Sequence, residues 1–328
     1  MVRRVIIATI ILLATAYTVQ AAKDKFAHLR AEWPDTDFSQ ASVDIRAVIA
    51  AGPPKDGISS IDDPQFIPAK QVTELADTEP VISVLLGGDA HAYPFRILIQ
   101  HEIVNDWVGG LPVAITYCPL CNSAVAFDRH VEGNAVEFGT TGRLYLSNLV
   151  MYDRWSESWW AQFTGEAIAG RLNGTKLKRL PSRIESLASF RKRHPDGNVL
   201  LPPRRFPGRP YGGNPYANYD SLPAPWFQAG TLPRNIPAMA RVVTVGDRAW
   251  ALTLLRKKGH IETTDGLIIT WQAGQNSALD HRIISKGRDV GNVLVQQQTP
   301  DGPVDIPYGV DFAFAFHAFH PESKIITR

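Results

Sequence analysis

The residues best suited to chemistry are Cys118 and Cys121, the only two cysteines of the 328-residue chain. They are separated by Pro119 and Leu120, so one tight turn carries both thiols. Two thiols at this spacing can bind a single soft ion such as zinc or cuprous copper. They can also exchange with a disulfide, one thiolate attacking and the other resolving the mixed disulfide. A structural disulfide is a third use, although closing a ring of four residues stabilises a fold by only about 2 kcal/mol.

We predict soft-metal binding as the leading function of this pair. The apolar run before Cys118 is typical of a buried strand, and a hairpin-like stretch begins at Ser123. Thioredoxin-like pairs instead lie where a strand enters a long helix. A thiol–disulfide oxidoreductase is the first alternative, and a non-catalytic binding or assembly module with a structural disulfide is the second.

A cysteine pair supplies only half of a metal site. We expect His101 to be a further ligand of copper or zinc, because it lies just before the strand that leads to Cys118. Glu102 or Asp106 would then orient its imidazole as outer partners. The alternative for His101 is a hydrogen-bonded histidine at a strand edge.

A segment rich in aromatic and polar residues follows the cysteines and predicts the wall of a binding cleft. Its rings supply rigid apolar surface, its amides supply hydrogen bonds, and an acidic and a basic residue supply charge. The predicted wall residues are Asn148, Tyr152, Asp153, Arg154, Trp159, Trp160 and Gln162. Because alternate residues of a strand face opposite sides, the alternative is that Trp159 or Trp160 belongs to the core.

Several familiar catalytic motifs do not occur in the sequence. It contains no phosphate loop, dinucleotide fingerprint, serine-hydrolase elbow or zinc-protease helix. We therefore expect no nucleotide cofactor and no activity of those classes.

The first 21 residues are typical of a secretory signal peptide. Arg3 and Arg4 precede an apolar run that is too short for a full membrane span, and Val19 and Ala21 fit cleavage after residue 21. An uncleaved N-terminal membrane anchor is the alternative. We expect an extracytoplasmic protein, periplasmic or secreted, in an oxidising environment.

The charge balance argues against a nucleic-acid partner. Removing residues 1–21 takes away two of the 34 basic residues and none of the 32 acidic ones, so the mature chain has no formal net charge. Such a chain lacks the basic footprint of a nucleic-acid-binding protein. The expected partner is an unidentified small molecule, a metal ion or another envelope protein.

Ordered similarity between two stretches indicates a diverged internal duplication. The segment 115–124 matches 269–278, where glutamines occupy both cysteine positions, and His194-Pro195 matches His320-Pro321. Any chemistry of the thiols therefore belongs to the first copy alone. We predict an α+β protein, predominantly β, built from two diverged copies of one sheet-based lobe, with barrel and sandwich both open.

Five parts are predicted along the chain: residues 1–21 as signal peptide, 22–75 as an N-terminal extension, 76–201 as the first lobe, 202–239 as a Pro/Gly/Tyr-rich connection and 240–328 as the second, degenerate lobe. The connection holds nine prolines in 38 residues, too many for a regular helix or central strand. Apolar runs predict buried strands at 80–86 and 112–117, and apolar spacing predicts a helix at 182–193.

The chain resembles a bacterial family of secreted and membrane-attached proteins known as domain of unknown function 3179. The similar stretches are residues 101–106, the segment 116–122 with its cysteine pair, 147–154 and 158–168, and together they extend over roughly residues 50–328. The resemblance implies a two-copy architecture and an extracytoplasmic setting, and it implies no established reaction. The second copy lacks a tryptophan segment like 158–163, which argues against two equivalent sites.

Overall fold

Strands dominate the computed structural model, which describes residues 27–328. They form five sheets of four or five strands and one two-stranded sheet. The larger sheets are arranged like the blades of a propeller. The predominantly β, α+β class is thus confirmed, whereas the arrangement is neither the barrel nor the sandwich that the sequence left open. No helix of the described part is long and apolar enough to cross a bilayer.

The predicted signal peptide lies outside the described residues. The strands in chain order are β1 (Ile49–Ala50), β2 (Phe66–Pro68), β3 (Pro80–Leu86), β4 (Asp89–Pro94), β5 (Ile103–Val108), β6 (Leu111–Cys118), β7 (Ser123–Asp128), β8 (His130–Val131), β9 (Asn134–Ala135), β10 (Phe138–Tyr145), β11 (Asn148–Asp153), β12 (Trp159–Ala161), β13 (Glu166–Ala169), β14 (Lys178–Arg179), β15 (Arg183–Ser186), β16 (Asn198–Leu200), β17 (Arg241–Val245), β18 (Arg248–Ala251), β19 (His260–Glu262), β20 (Leu267–Gln272), β21 (Asn292–Thr299), β22 (Gly302–Asp305), β23 (Gly309–Phe312) and β24 (Ile325–Ile326).

The helices are short and lie between strands. In chain order they are α1 (Ala27–Glu32), α2 (Phe95–His101), α3 (Leu187–Arg193), α4 (Leu252–Lys258) and α5 (Ala313–Phe319). The sequence predicted that α3 begins near residue 182. It begins at Leu187 instead, because Ser186 caps it by accepting a hydrogen bond from the Ser189 amide, and the residues before it form β15.

Two sheets share one pattern of connections. Strands β15, β3, β4 and β16 are neighbours in that order, with two antiparallel pairings and one parallel pairing. The same order and directions recur in β23, β17, β18 and β24. Helix α2 follows β4 as α4 follows β18, and both α3 and α5 end at a His-Pro step, at His194 and His320.

The remaining two four-stranded sheets also correspond. One contains β5, β6, β7 and β14 and is called here the cysteine sheet; the other contains β19, β20, β21 and β22. The fifth sheet contains β1, β10, β11, β12 and β13 and is called the insert sheet. Four of its strands lie between β7 and β14, where the second half has no corresponding strands.

Most buried apolar side chains of both halves belong to one continuous cluster, and two smaller clusters lie beside it. The N-terminal extension also packs onto this body: β2 pairs with β16, and Trp33 packs with Trp159 of the insert sheet. The connection, residues 202–239, contains one short 3-10 turn and no strand. Its Asn214 and Asn218 amides donate to the Arg282 and Asp280 carbonyls of the second half. The predicted domain boundaries stay predictions.

Gly142 of β10 holds the chain segment 51–58 against the insert sheet. Its carbonyl accepts hydrogen bonds from the amides of Ala51 and Gly52, at 3.0 and 3.1 Å. Its φ is +68°, and a Cβ there would lie 1.7 Å from the carbonyl oxygen of Pro53. Only glycine allows this backbone contact.

Replacing Gly142 with alanine should therefore lower the free energy of unfolding by more than about 2 kcal/mol. Gly133 is the matched control, because its φ is +81° but nothing lies within 4 Å of an added Cβ, so Gly133→Ala should cost about 1 kcal/mol. Urea denaturation followed by tryptophan fluorescence measures both. Equal losses would contradict the proposed contact.

Candidate functional site

The cysteine pair closes a hairpin between two central strands of the cysteine sheet. Strand β6 ends at Cys118, a 3-10 turn covers Pro119–Cys121, and β7 begins at Ser123, which pairs with Cys118. Asn122 adopts the left-handed conformation, with φ 53° and ψ 29°, which asparagine tolerates better than most residues. Its side-chain amide donates to the Val310 carbonyl at 2.6 Å, so the turn is fastened to β23 of the second half.

Both cysteines are buried free thiols. The Cys121 thiol donates to the Ser147 carbonyl at 3.0 Å. Burial, followed by the neighbouring Cys118, raises the pKa of Cys121 well above its usual value. Cys121 is therefore protonated at neutral pH, and its reaction as a nucleophile requires a base that removes the proton.

Cys118 differs from Cys121 because it lines a cavity. The cavity has a volume of about 150 Å³ and is lined also by Glu102 and Tyr216. Its floor and sides come from Pro119 and Leu120 of the turn, from the segment 51–58 and from β10 and β11. Cys118 thus belongs to the cavity lining, and Cys121 does not.

Glu102 ends α2 in an unusual backbone conformation, with φ 58° and ψ −32°. Its amide donates to the Leu98 carbonyl and its carbonyl accepts from the Tyr117 amide, which fixes it beside β6. Among residues 27–328 no group forms a hydrogen bond or ion pair with its carboxyl. Burial raises the pKa of this carboxyl to about 8.

The second half has glycine at the same place. Gly259 ends α4 with φ 70° and ψ −31°, nearly the conformation of Glu102. A side chain in such a sparsely populated region costs about 1–3 kcal/mol and is characteristic of functional sites. The first half therefore keeps a strained, desolvated carboxyl at the cavity where the fold itself needs only glycine.

His101 does not join the cysteines. Its Nδ1–H donates to the Ser59 carbonyl at 2.7 Å, and its Nε2 accepts from the Tyr211 hydroxyl at 2.8 Å. Burial lowers the pKa of His101 to about 4, so the ring is neutral. Both ring nitrogens are thus already used, and His101 is absent from the lining of the thiol cavity.

The ligands predicted for a copper or zinc ion are not brought together. Within residues 27–328, no group of three or more His, Cys, Asp or Glu side chains is placed to hold a metal ion. The predicted outer partners of His101 also lie elsewhere. Asp106 accepts from the Tyr93 hydroxyl at 2.6 Å and contacts Nδ1 of His91 at 2.9 Å, and Glu102 faces the cavity.

Most of the predicted cleft wall is interior. Trp159 and Trp160 are both fully buried, because the insert sheet is covered on both faces. The Trp160 indole donates to Asp153 at 2.9 Å, while Tyr152 and Arg154 both donate to Asp56. The alternative that the tryptophans belong to the core is correct.

Two of the predicted wall residues support the thiols from behind. The Asn148 amide donates to the Gln162 side chain at 2.9 Å, and Gln162 donates to the Thr116 hydroxyl at 2.9 Å and to the Ser123 carbonyl at 3.2 Å. These buried amides fix the insert sheet to the cysteine sheet and position the turn.

Sequence reasoning missed two residues of the cavity in their present roles. Glu102 carried a usable signal, because it lies as far beyond Ala92-Tyr93 as Gly259 lies beyond Ala249-Trp250. Tyr216 comes from the connection and carried no signal beyond the abundance of tyrosine there.

A family model described as a protein of unknown function (DUF3179) matches residues 55–323. This range includes both cysteines, Glu102 and Tyr216. No curated protein and no solved structure matches the chain.

Replacing Glu102 with glycine should stabilise the protein, and more so at alkaline pH. The folded state raises the pKa of this carboxyl from 4.5 to about 8, so the native protein loses stability as the pH rises through that window. At pH 8.5 we expect Glu102→Gly to gain at least about 2 kcal/mol over the natural chain, and at pH 4 only the strain relief of about 1 kcal/mol.

Denaturant unfolding at the two pH values measures this gain. Gly259→Ala is the matched control, since nothing lies within 4 Å of its added Cβ; it should lose about 1 kcal/mol at both pH values. A Glu102→Gly protein that is no more stable at pH 8.5 than the natural chain would refute the assignment.

Proposed function

The chain belongs to the family described as a protein of unknown function (DUF3179), and we propose that it is a thiol–disulfide oxidoreductase acting through Cys118 and Cys121. The observation that carries this proposal is the unequal placement of two free thiols in one turn. Cys118 lines a cavity, and Cys121 lies beside it outside the cavity lining. This is the arrangement that an attacking thiol and a resolving thiol need.

The reaction requires no further electron carrier. The Cys118 thiolate attacks one sulfur of a substrate disulfide, and the other sulfur leaves as a thiolate that takes a proton. Cys121 then attacks the Cys118 sulfur, which forms the Cys118–Cys121 disulfide and releases the second substrate thiol. Two electrons and two protons thus pass from the dithiol to the substrate, and the reverse sequence oxidises a dithiol.

Glu102 is the group in the cavity suited to move the proton of Cys118. A carboxyl with a pKa of about 8 exchanges protons readily near neutral pH. It takes the proton of Cys118 and returns it to the leaving thiolate. The strained backbone of Glu102 supports this role, because the corresponding glycine of the second half serves the fold alone.

The volume of the cavity limits the size of the substrate. A volume of about 150 Å³ accommodates a disulfide and its flanking methylene groups rather than a folded protein surface. We propose a small disulfide or dithiol compound as the substrate class. A metal ion bound by the two thiols alone is the outcome that the test below must exclude.

Two further proposals set the context. Residues 1–21 act as a signal peptide that is cleaved after Ala21, so the dithiol works outside the cytoplasm, where the environment is oxidising.

The two halves are diverged copies of one unit. This proposal is supported by the order of β3, β4, α2 and α3 in the first half, which recurs as β17, β18, α4 and α5 in the second. The second copy then lost, or never gained, the thiols.

Cysteine variants test the function with 2-hydroxyethyl disulfide, a reagent small enough for the cavity. The natural protein should become an intramolecular Cys118–Cys121 disulfide. Cys121→Ser should stop as a mixed disulfide on Cys118, and Cys118→Ser should react about 100-fold more slowly. Intact-mass and peptide mass spectrometry of acid-quenched samples identify each species.

The matched control is Gln272→Ser, which changes the exposed position that corresponds to Cys118 in the second half; it should behave like the natural chain. A dithiol that resists excess disulfide would overturn the proposal. So would one copper or zinc ion per chain that is lost in Cys118→Ser, a result that would restore the metal site.

A further inference from the structure

The hairpin between β10 and β11 turns through two residues that are unusual for its backbone. Tyr145 pairs with Asn148, so Leu146 and Ser147 form the turn. Their φ angles are +50° and +67°. A two-residue turn with positive φ at both positions favours glycine and asparagine, because other side chains crowd the backbone there.

Three other hairpins of the described residues make the same kind of turn with glycine. The turns at 87–88 and 109–110 are Gly-Gly, and the turn at 132–133 is Glu-Gly. Both residues have positive φ in each of these turns. The turn at Leu146 and Ser147 has the same conformation without glycine, so contacts outside the turn must hold it.

Two such contacts meet at Ser147, which is buried. Its carbonyl accepts a hydrogen bond from the Cys121 thiol at 3.0 Å. Its hydroxyl oxygen accepts from the Ala229 amide of the connection at 2.9 Å. Glycine would form the turn more easily but has no side chain to accept from Ala229. Ser147 therefore links the second cysteine of the turn to the connection.

The connection lies beside the thiol turn at further points. Tyr216 lines the thiol cavity, and the Tyr219 hydroxyl donates to the Leu120 carbonyl at 3.0 Å. The Trp226 ring lies 5.8 Å from the Tyr216 ring and 4.6 Å from the Tyr219 ring, between centroids. The segment 216–229 thus forms part of the wall around the thiols, and Ser147 fixes its end.

Formation of a disulfide would remove one of the two contacts of Ser147. When Cys121 bonds to Cys118 it loses its S–H group, and a disulfide sulfur donates no hydrogen bond. The buried Ser147 carbonyl would then lose this donor, which is costly for a group shielded from water. The steric cost of the turn would remain, so its closed form becomes less favourable.

We propose that Ser147 is a redox-sensitive latch, which holds the segment 216–229 against the thiol turn while Cys121 is a thiol and releases it when the Cys118–Cys121 disulfide forms. This inference rests on the proposed function. The substrate disulfide is the oxidant: it takes two electrons and two protons, and one S–S bond replaces the two S–H bonds of the cysteines. Release lets the reduced substrate leave and lets a dithiol reach the disulfide. Reduction by that dithiol restores the S–H group and closes the latch.

Hydrogen–deuterium exchange with mass spectrometry tests the latch on the full chain. The dithiol protein is compared with the protein oxidised by excess 2-hydroxyethyl disulfide, and the Ala229 amide reports release. This amide should exchange about 10-fold faster in the disulfide form, because the segment opens more often. The turn at 132–133 is the matched control, since it has the same backbone conformation with glycine, and it should exchange equally in both forms.

Two variants of Cys121 separate loss of the donor from formation of the disulfide. Cys121→Ala removes the donor without oxidation and should speed exchange at Ala229 about 10-fold. Cys121→Ser keeps a hydroxyl donor and should exchange like the dithiol protein. Ser147→Gly removes the acceptor of the Ala229 amide, so this amide should exchange fast in both redox forms.

The outcomes separate the latch from the proposed function. If the reagent forms no Cys118–Cys121 disulfide, the oxidoreductase function fails and the latch has no trigger. If the disulfide forms and exchange at Ala229 is unchanged, the function survives and the latch is refuted. Equal exchange in Cys121→Ala and Cys121→Ser would also refute the latch, whatever the disulfide does.

Discussion

Removal of water from ionisable groups is the constraint on which the thiol site depends. Cys121 and Glu102 both lie where burial raises their pKa. In water each of these groups would ionise at its usual pKa. In a site from which water is removed, the charged form of each group is disfavoured unless an opposite charge or a hydrogen bond stabilises it. Burial thus disfavours the charged form of both groups, and both are expected to rest in the neutral form below about pH 8.

The two halves differ in the residues that they place at this site. Both halves use the same order of strands and the same helix positions. The first half carries two thiols, an acidic helix end and the insert sheet, where the second half has two glutamines, Gly259 and no corresponding strands. The residues suited to chemistry therefore lie in the first half, on a pattern of strands that the second half forms without them.

Local patterns in the sequence predicted what depends on neighbours along the chain. The strands near 80–86 and 112–117 and the turn at Cys118 and Cys121 were correctly predicted, because apolar runs and turn residues act locally. Sequence did not reveal the partners of His101, whose ring nitrogens are bonded to a carbonyl and a hydroxyl 42 and 110 positions away. It left the place of Trp159 between cleft and core open, and the N-terminal extension packs against this ring through Trp33 and Phe38. Tyr216 lay beyond prediction, since spacing along the chain does not reveal which residue of the connection meets the thiol cavity.

The connection between the halves also has a consequence for inheritance. Tyr216 lines the thiol cavity, the Tyr219 hydroxyl donates to the Leu120 carbonyl at 3.0 Å, and the Ala229 amide donates to Ser147. A segment that would ordinarily be the natural place for gene fission or domain shuffling is thus part of the wall around the cysteines. Cutting the chain within this connection would therefore open the wall around the cysteines, although neither cysteine lies near the cut in sequence.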